Sequence, residues 1–278
     1  MKNLATIITA TYNNFDTISH FYQEIIQKTT CPFKLIIINN NSTEKKVNDF
    51  LKEINKHKNI YVFKLKQNVY YFPAINIGIK KANFSSKYTL ILNDDIKIKS
   101  KDWIQKMIAL VEADKKIAYG GDFMPRFNCP PFGGWIDGWC MFFKTRAIKK
   151  IGLFNKKYVW WYAPADYAIR AYKLGFIIKD FKKPGDSLGR ISGIITHIKG
   201  QTFKRLKKEK QIPKDKFFPK DFNYAGLLKE HKLYKEYFQV KSLQPINLLI
   251  NKLTTVKPIM KLYKNIKKIS KTNKYYNF

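Results

Sequence analysis

Between Leu4 and Asp95 the chain alternates between short apolar runs and longer segments whose apolar residues recur at helical spacing. Leu4–Ala10, Lys34–Asn40, Ile60–Leu65 and the run beginning at Tyr88 read as strands. Between them, Phe15–Lys28 carries Ile18, Phe21, Tyr22, Ile25 and Ile26 on one face, and helices are expected from about Glu44 to Lys56 and from Phe72 to Ala82. A strand such as Leu90-Ile91-Leu92 is covered on both faces, and parallel neighbours need a crossover that a helix supplies. The order β-α-β-α-β-α-β therefore predicts an α/β fold with a mostly parallel, doubly wound sheet.

Ligands of such sheets gather at the carboxyl ends of the strands, and the fourth strand runs there into Asn93-Asp94-Asp95. Adjacent carboxylates suit a hard divalent cation, Mn2+ or Mg2+, and hence a metal-bound diphosphate. The same pair also serves as a turn or a helix N-cap.

Beyond Asp95 the pattern loosens. Helices are expected over Asp102–Glu112, Thr145–Ile151 and Asp166–Leu174, the last closed by Gly175, and strands near Ile117–Gly121, Trp139–Lys144 and Ile191–His197. Pro125–Trp139, rich in Gly, Pro and Trp, reads as an irregular loop. From Phe203 basic residues outnumber acidic ones about four to one, and Pro213, Pro219, Pro245 and Pro258 interrupt the chain, marking residues 203–278 as a basic helical extension to a unit spanning residues 1–202. Within it Ile246, Leu249, Ile250, Leu253, Met260, Tyr263 and Ile266 alternate with lysines at helical spacing. Such a helix either lies on an anionic membrane or docks on the rest of the chain with its lysine face in water.

Composition narrows the classes further. A hydrophobic share of 45% with 15% aromatics excludes wholesale disorder. No apolar run reaches the roughly 18 residues that span a bilayer, and Met1-Lys-Asn-Leu leads into the first strand without a signal-peptide core, so a cytoplasmic protein is expected. Cys31, Cys129 and Cys140 lack CxxC spacing, which argues against a disulfide framework or a zinc site. A net charge of +33 calls for an anionic partner: nucleic acid, anionic lipid or a sugar nucleotide. The lysines concentrate in the tail and no nucleic-acid module is recognisable, which makes nucleic acid the weaker choice.

The order of the motifs resembles the family 2 glycosyltransferases of the GT-A fold. The resemblance runs through Thr6-Ile-Ile-Thr-Ala-Thr-Tyr-Asn13, Ile36-Ile-Ile-Asn-Asn-Asn-Ser-Thr43, Asn68 to Gly78, Leu92-Asn-Asp-Asp95, Gly138 to Phe154, Ala165 to Gly175 and His197-Ile-Lys-Gly-Gln-Thr202. It implies a GT-A domain over residues 1–202, with residues 1–95 holding a nucleotide sugar and residues 96–202 an acceptor. The reaction implied is inverting, metal-dependent glycosyl transfer from a nucleotide diphosphate sugar, UDP- or dTDP-linked by preference, to a hydroxyl of a glycan or lipid-linked acceptor in cell-surface glycoconjugate synthesis. The basic tail would then hold the protein peripherally on the inner face of the membrane. The alternative is a catalytically weak or inactive relative that uses its basic surface for nucleic acid or an anionic membrane. A nucleotidyltransferase would need a Gly-rich phosphate loop that Thr11-Tyr-Asn-Asn lacks.

The resemblance also implies roles. Ala10, Thr11, Tyr12 and Asn39 would hold the base, Asn68 and Asn76 the loop before the third helix, and Asn93 and Asp94 the ribose. Asn39 stands where the family has Asp; its amide oxygen still accepts from an imide N–H. Asp95 and His197 would bind Mn2+ or Mg2+. Asp166 falls on the second acid of the family's Glu-Asp-x-Asp pattern, while the preceding acid pair is replaced by Ala163 and Pro164. Asp166 is thus the first candidate for the base that deprotonates the acceptor, and Asp137 the second. Trp135, Trp139 and Trp161 are candidates for an acceptor platform, since indole faces suit sugar C–H faces. Asn76 reads equally as a structural amide and each tryptophan as core.

Overall fold

The computed structural model describes residues 3–125 and 133–198, apart from Trp161 and Leu188, together with Leu227 and His231. Trp161, Cys129 and nearly all of the expected extension lie outside the described residues. Chain contacts divide the protein into two compact units, Met1–Met124 with Trp135–Lys220, and Pro125–Gly134 with Asp221–Phe278.

The first half is built from β1 (Ala5–Thr11), α1 (Phe15–Lys28), β2 (Phe33–Asn39), α2 (Lys45–Ile54), β3 (Ile60–Lys64), α3 (Tyr71–Ala82) and β4 (Tyr88–Leu92). Then come β5 (Ile96–Ile98), α4 (Trp103–Glu112), β6 (Ile117–Pro125), β7 (Gly134–Lys144), α5 (Thr145–Ile151), α6 (Tyr162–Lys173), β8 (Ile177–Asp180), β9 (Arg190–Ile191) and β10 (Ile195–His197). Seven strands form the central sheet in the order β3-β2-β1-β4-β7-β6-β8, and β5-β10-β9 form a second, smaller sheet. β1 lies parallel between β2 and β4, whereas β7 runs antiparallel to β4. This is the expected mostly parallel sheet with flanking helices.

Local chemistry accounts for the elements. The Asn14 side chain caps α1 by accepting from Thr17 N at 3.2 Å, and Asp16 and Lys28 sit at the dipole ends that favour their charges. Ile7, Ile8, Leu35, Ile37, Leu90 and Leu92 are almost completely buried between helix layers. Each such side chain contributes about 1.5–3 kcal/mol of transfer free energy. Gly78 lets α3 approach the sheet: a Cβ there would come within 2.4 Å of Ile8 Cγ2.

Three expectations change. β7 begins at Gly134, well inside the segment read as irregular loop; Ile136 is buried and Trp135 and Asp137 half-buried, an alternation that Gly134 and Gly138 conceal in the sequence. The single last strand is a hairpin, β9 and β10 turning at Gly193 with φ +71°. β5 and β8, three and four residues long, were not foreseen because neither contains an apolar run that stands out.

Candidate active site

Register brings the polar strand ends together. Thr11 pairs with Asn39 across β1 and β2, and Ile8 pairs with Ile91 across β1 and β4, so Thr11, Asn39 and Asn93–Asp95 occupy one edge of the sheet. Antiparallel β7 brings Asp137, Gly138 and Trp139 to that edge: Leu92 pairs with Cys140, and Asn93 N donates to Trp139 O at 2.9 Å.

The smaller sheet completes the corner. His197 pairs with Ile96 across β5 and β10, and Ile198 N donates to Asp95 O at 2.8 Å. His197 Nε2 consequently lies 2.9 Å from Asp95 Oδ1, and Asn93 Nδ2 lies 3.3 Å from the same nitrogen. The Asp95 side chain is 4% exposed and that of His197 is 22% exposed, so access runs along the imidazole. A carboxylate oxygen and an imidazole nitrogen at this separation fit a divalent cation: adjacent ligands of an octahedron with bonds of about 2.1 Å stand about 3 Å apart. Among the described residues, no group of three or more His, Cys, Asp and Glu side chains is arranged as a metal site. Asp95 and His197 could therefore offer at most two ligands from this set, the rest being other oxygens.

Around this pair stand the second acids and the aromatics. Asp137 Oδ1 accepts from Gly138 N at 2.7 Å. Burial pushes its carboxyl above the usual range, only partly offset by that N–H and by the charges of His197 and Lys182. Tyr71, at the start of α3, donates its hydroxyl to Gly138 O at 3.2 Å, and its phenol is held well above the ordinary value by burial and then by Asp94, Asp95 and Asp137. Three carboxylates thus share one neighbourhood with a phenol that stays protonated. The Tyr71 ring stacks on Trp160, with centroids 5.9 Å apart and planes at 15°. Trp139, by contrast, is 3% exposed, and its indole lies on the His197 imidazole with centroids 5.1 Å apart and planes at 10°. That plate faces the histidine. Trp135 is half-buried.

On the β1–β2 side the side chains of the expected base pocket bind one another. Asn39 Oδ1 accepts from Ser42 N at 2.8 Å while its Nδ2 donates to Asn48 Oδ1 at 3.0 Å. Asn13 Oδ1 accepts from Thr43 N and Glu44 N, clamping the loop after β1 to the loop after β2. Asn40 donates to Asn68 Oδ1 at 2.9 Å and accepts from Val69 N at 2.9 Å, fixing the segment before α3. Ala10 and Tyr12 are half-buried beside Thr11, which is 2% exposed. Asn76, inside α3, gives both its amide atoms to one residue: Nδ2 donates to Phe154 O at 2.8 Å and Oδ1 accepts from Phe154 N at 2.9 Å.

Asp166 sits in α6, 1% exposed, and Arg170 Nε donates to its Oδ2 at 2.9 Å. Arg170 also donates through Nη1 to Ile151 O at 2.7 Å, at the end of α5. The acid is therefore engaged in joining two helices.

Sequence reasoning passed over Tyr71, Asn13, Asn40 and Asp122. The positive φ of Asn13 (+40°) is hinted at by Asn in a polar turn after a strand; nothing in the sequence marks Asp122, a single acid inside a strand.

Comparison with known proteins agrees with this fold. The structure resembles a mannosyltransferase from Pyrobaculum calidifontis in complex with GDP-Man and Mn2+, with a TM-score of 0.56 and 13% identity, covering 97% of this chain and 81% of that one. It also resembles GalNAc-T7 with UDP, GalNAc and Mn2+, with a TM-score of 0.52 and 12% identity, covering 64% of this chain and 42% of that one. Likeness at this identity speaks for the fold, GT-A. In sequence, the chain is 30% identical over 122 residues to an uncharacterized glycosyltransferase of Haemophilus influenzae, a match that takes in 44% of this chain and 36% of that protein. Residues 6–174, which include the strand ends of β1, β2 and β4 and the helix carrying Asp166, match the glycosyl transferase family 2 pattern, and the chain belongs to that family.

Proposed function

We propose that the protein is a metal-dependent, inverting glycosyltransferase that moves a sugar from a nucleotide diphosphate to a hydroxyl of a glycan or lipid-linked acceptor. The observation that carries this reading is the Asp95–His197 pair, 2.9 Å apart at the sheet edge where Thr11 and Asn39 also end. Family membership and neighbours bound to GDP-Man or UDP with Mn2+ support it. Mn2+ or Mg2+ held by Asp95 and His197 would supply charge neutralisation for the departing diphosphate.

The residues of the chain do the rest. Asn93 and Asp94 face the ribose, and Ala10, Thr11, Tyr12 and Asn39 the base. The acceptor oxygen forms its bond to the anomeric carbon as the bond from that carbon to the diphosphate oxygen breaks; its proton passes to a carboxylate, and the nucleoside diphosphate leaves. Asp137 suits that proton best: it shares the neighbourhood of Asp94 and Asp95, and its raised pKa makes it a stronger base than an exposed carboxylate. Asp166, locked to Arg170, is assigned to holding α6. Tyr71 and Trp160 offer the aromatic face for the acceptor, and Trp135, half-buried in β7, is a further candidate. UDP- and dTDP-sugars are the first donors to test. The lysine-rich C-terminal region would bring the protein to the inner, anionic face of a membrane where a lipid-linked acceptor resides.

The test is a panel of UDP-, dTDP- and GDP-sugars incubated with Mn2+, with and without EDTA, for the wild type and Asp95→Ala, reading released nucleoside diphosphate. Metal-dependent turnover lost in the variant supports the proposal and names the donor. The net charge of +33 keeps one second reading, a relative without activity that binds polyanions. Salt-sensitive oligonucleotide binding, with no donor turned over and no nucleotide raising the melting temperature, would favour it.

A further inference from the structure

Asp122, in β6, is completely buried and has no part in the chemistry proposed above. Its Oδ2 accepts two hydrogen bonds, from Trp139 Nε1 at 2.8 Å and from Gly189 N at 2.6 Å. Its Oδ1 takes no aligned hydrogen bond; its charge is met by Lys182, whose Nζ lies 3.0 Å away and also donates to Phe123 O. Taking an ion pair this far from water costs several kcal/mol per ion, and a buried pair often stabilises a fold no better than apolar side chains of the same volume. A carboxylate in such a place is better accounted for by what it orients.

Both donors lead to the same residue. Trp139 lies flat against the His197 imidazole, planes 10° apart. Gly189, whose N–H ends on Asp122, accepts at its carbonyl from His197 N at 2.8 Å. We infer that Asp122 is the positioning residue of the cation site: through the Trp139 indole it sets the tilt of the His197 ring, through the Gly189 peptide it sets the backbone from which the ring projects, and so it places Nε2 beside Asp95. The torsion that turns a histidine ring is broad and soft, so an imidazole without a plate against it samples orientations in which Nε2 leaves the carboxylate. An outer partner that removes this freedom raises the affinity of the ligand it holds. Lys182 completes the device by meeting the charge of Asp122, so that the carboxylate can stay buried behind the indole.

This inference rests on the reading of Asp95 and His197 as the cation pair, and the test separates the two. Free Mn2+ is measured by electron paramagnetic resonance while the ion is titrated into the full chain, with and without UDP, for the wild type, Asp95→Ala, Asp122→Asn, Trp139→Phe and Trp139→Leu. Asp122→Asn is expected to weaken Mn2+ binding about tenfold, the lower end of what loss of an outer partner costs. Trp139→Leu should do the same, whereas Trp139→Phe, which keeps a flat ring on His197, stays within a few-fold of the wild type. A side chain that only fills volume would not separate Phe from Leu in ion affinity, and UDP binding without metal should be alike in the wild type and in the Asp122 and Trp139 variants. Wild-type Mn2+ affinity in cooperatively unfolding Asp122→Asn and Trp139→Leu overturns the inference while leaving the cation pair standing. Equal Mn2+ binding by the wild type and Asp95→Ala overturns the cation pair and the inference with it. Should Asp122→Asn fail to fold, the contrast between Trp139→Phe and Trp139→Leu decides alone.

Discussion

On the β1–β2 side of the site, neutral amides hold the loops: Asn13 grips Thr43 and Glu44, Asn39 grips Ser42, and Asn40 grips Asn68 and Val69. On the β6–β7 side, buried charges do the same work, Asp122 against Lys182 and Asp166 against Arg170. The difference follows from how each side is built. The first consists of parallel strands joined through helices, whose outgoing loops lie side by side at one end of the sheet, so an asparagine reaches the backbone of the neighbouring loop and an amide, acting as donor and acceptor at once, is sufficient. The second brings together segments far apart in the chain, such as residues 122 and 182, and a charged pair holds them more strongly at the cost of desolvation. Substitutions should therefore act locally and mildly on the first side and cooperatively on the second.

The largest effect is expected where the sides meet. Asp95→Ala removes the proposed cation ligand, and kcat should fall by about 10²–10³-fold, the scale of losing one group that stabilises developing charge. The variant's cooperative unfolding serves as the control. If excess Mn2+ restored full activity, Asp95 would be only a contributor to affinity.

Asp137 and Asp166 come next and should separate cleanly. Asp137→Asn is expected to lower kcat by about 10²–10⁴-fold, the usual worth of a general base, with the melting temperature kept or raised. Because burial raises the Asp137 pKa, its ionised, active form accumulates only as pH climbs above the ordinary carboxylate range, so the acid limb of kcat/KM should be displaced upward. The same shift means the folded state favours the protonated acid: this contribution to stability is complete below the unfolded pKa and is lost as pH rises through the folded one. Asp166→Ala should instead cost stability, about 3 kcal/mol, because Arg170 is left partly buried without its carboxylate. Activity per folded molecule should survive. A collapse of kcat in Asp166→Ala with an unchanged melting temperature would return the base role to Asp166.

Asn76→Ala tests a bridge between the two sides, since its amide ties α3 to Phe154. Both partners are backbone groups that would be left without it, and a loss of about 2 kcal/mol is expected in chemical denaturation, with donor binding little changed. A specific loss of nucleotide affinity at constant stability would instead put Asn76 in the base pocket.

How much of this was legible follows from the same contrast. The βα units announce themselves because each strand is a continuous apolar run and each helix has a face; Phe15–Lys28 and Thr145–Ile151 were read to the residue. Asp95 was visible as an acid at the end of such a strand. What escaped was long-range. Asp122 interrupts β6 as one polar residue, and its partners come from β7 and the loop after β8, so no spacing reveals it. Trp139 looked like a sugar platform because its indole follows a candidate acid in a Gly- and Pro-rich stretch, and only the β10 register shows that His197 lies against its face. Asn76 had two readings in the sequence, and the contact with Phe154, 78 positions away, is what gives its amide a structural partner.

The smallest effect should come from Asn39→Asp, on the amide side. The wild-type amide is oriented unambiguously: Ser42 N–H points at its oxygen, and its NH2 points at Asn48 Oδ1. Asn48 cannot simply turn over to suit a carboxylate, because its own NH2 donates to Ser42 O at 3.0 Å and Glu44 O at 2.9 Å. An aspartate at position 39 would therefore face an acceptor and forfeit one hydrogen bond, about 1 kcal/mol in the nucleotide-free protein. It would also present a full negative charge to whatever enters the pocket. If the donor base offers an imide N–H, as uracil and thymine do, that charge strengthens the contact, and the UDP Kd should improve a few-fold as stability falls. If UDP binding weakens along with stability, the neutral amide is itself part of the recognition, and the pocket is shaped for a base that presents an acceptor.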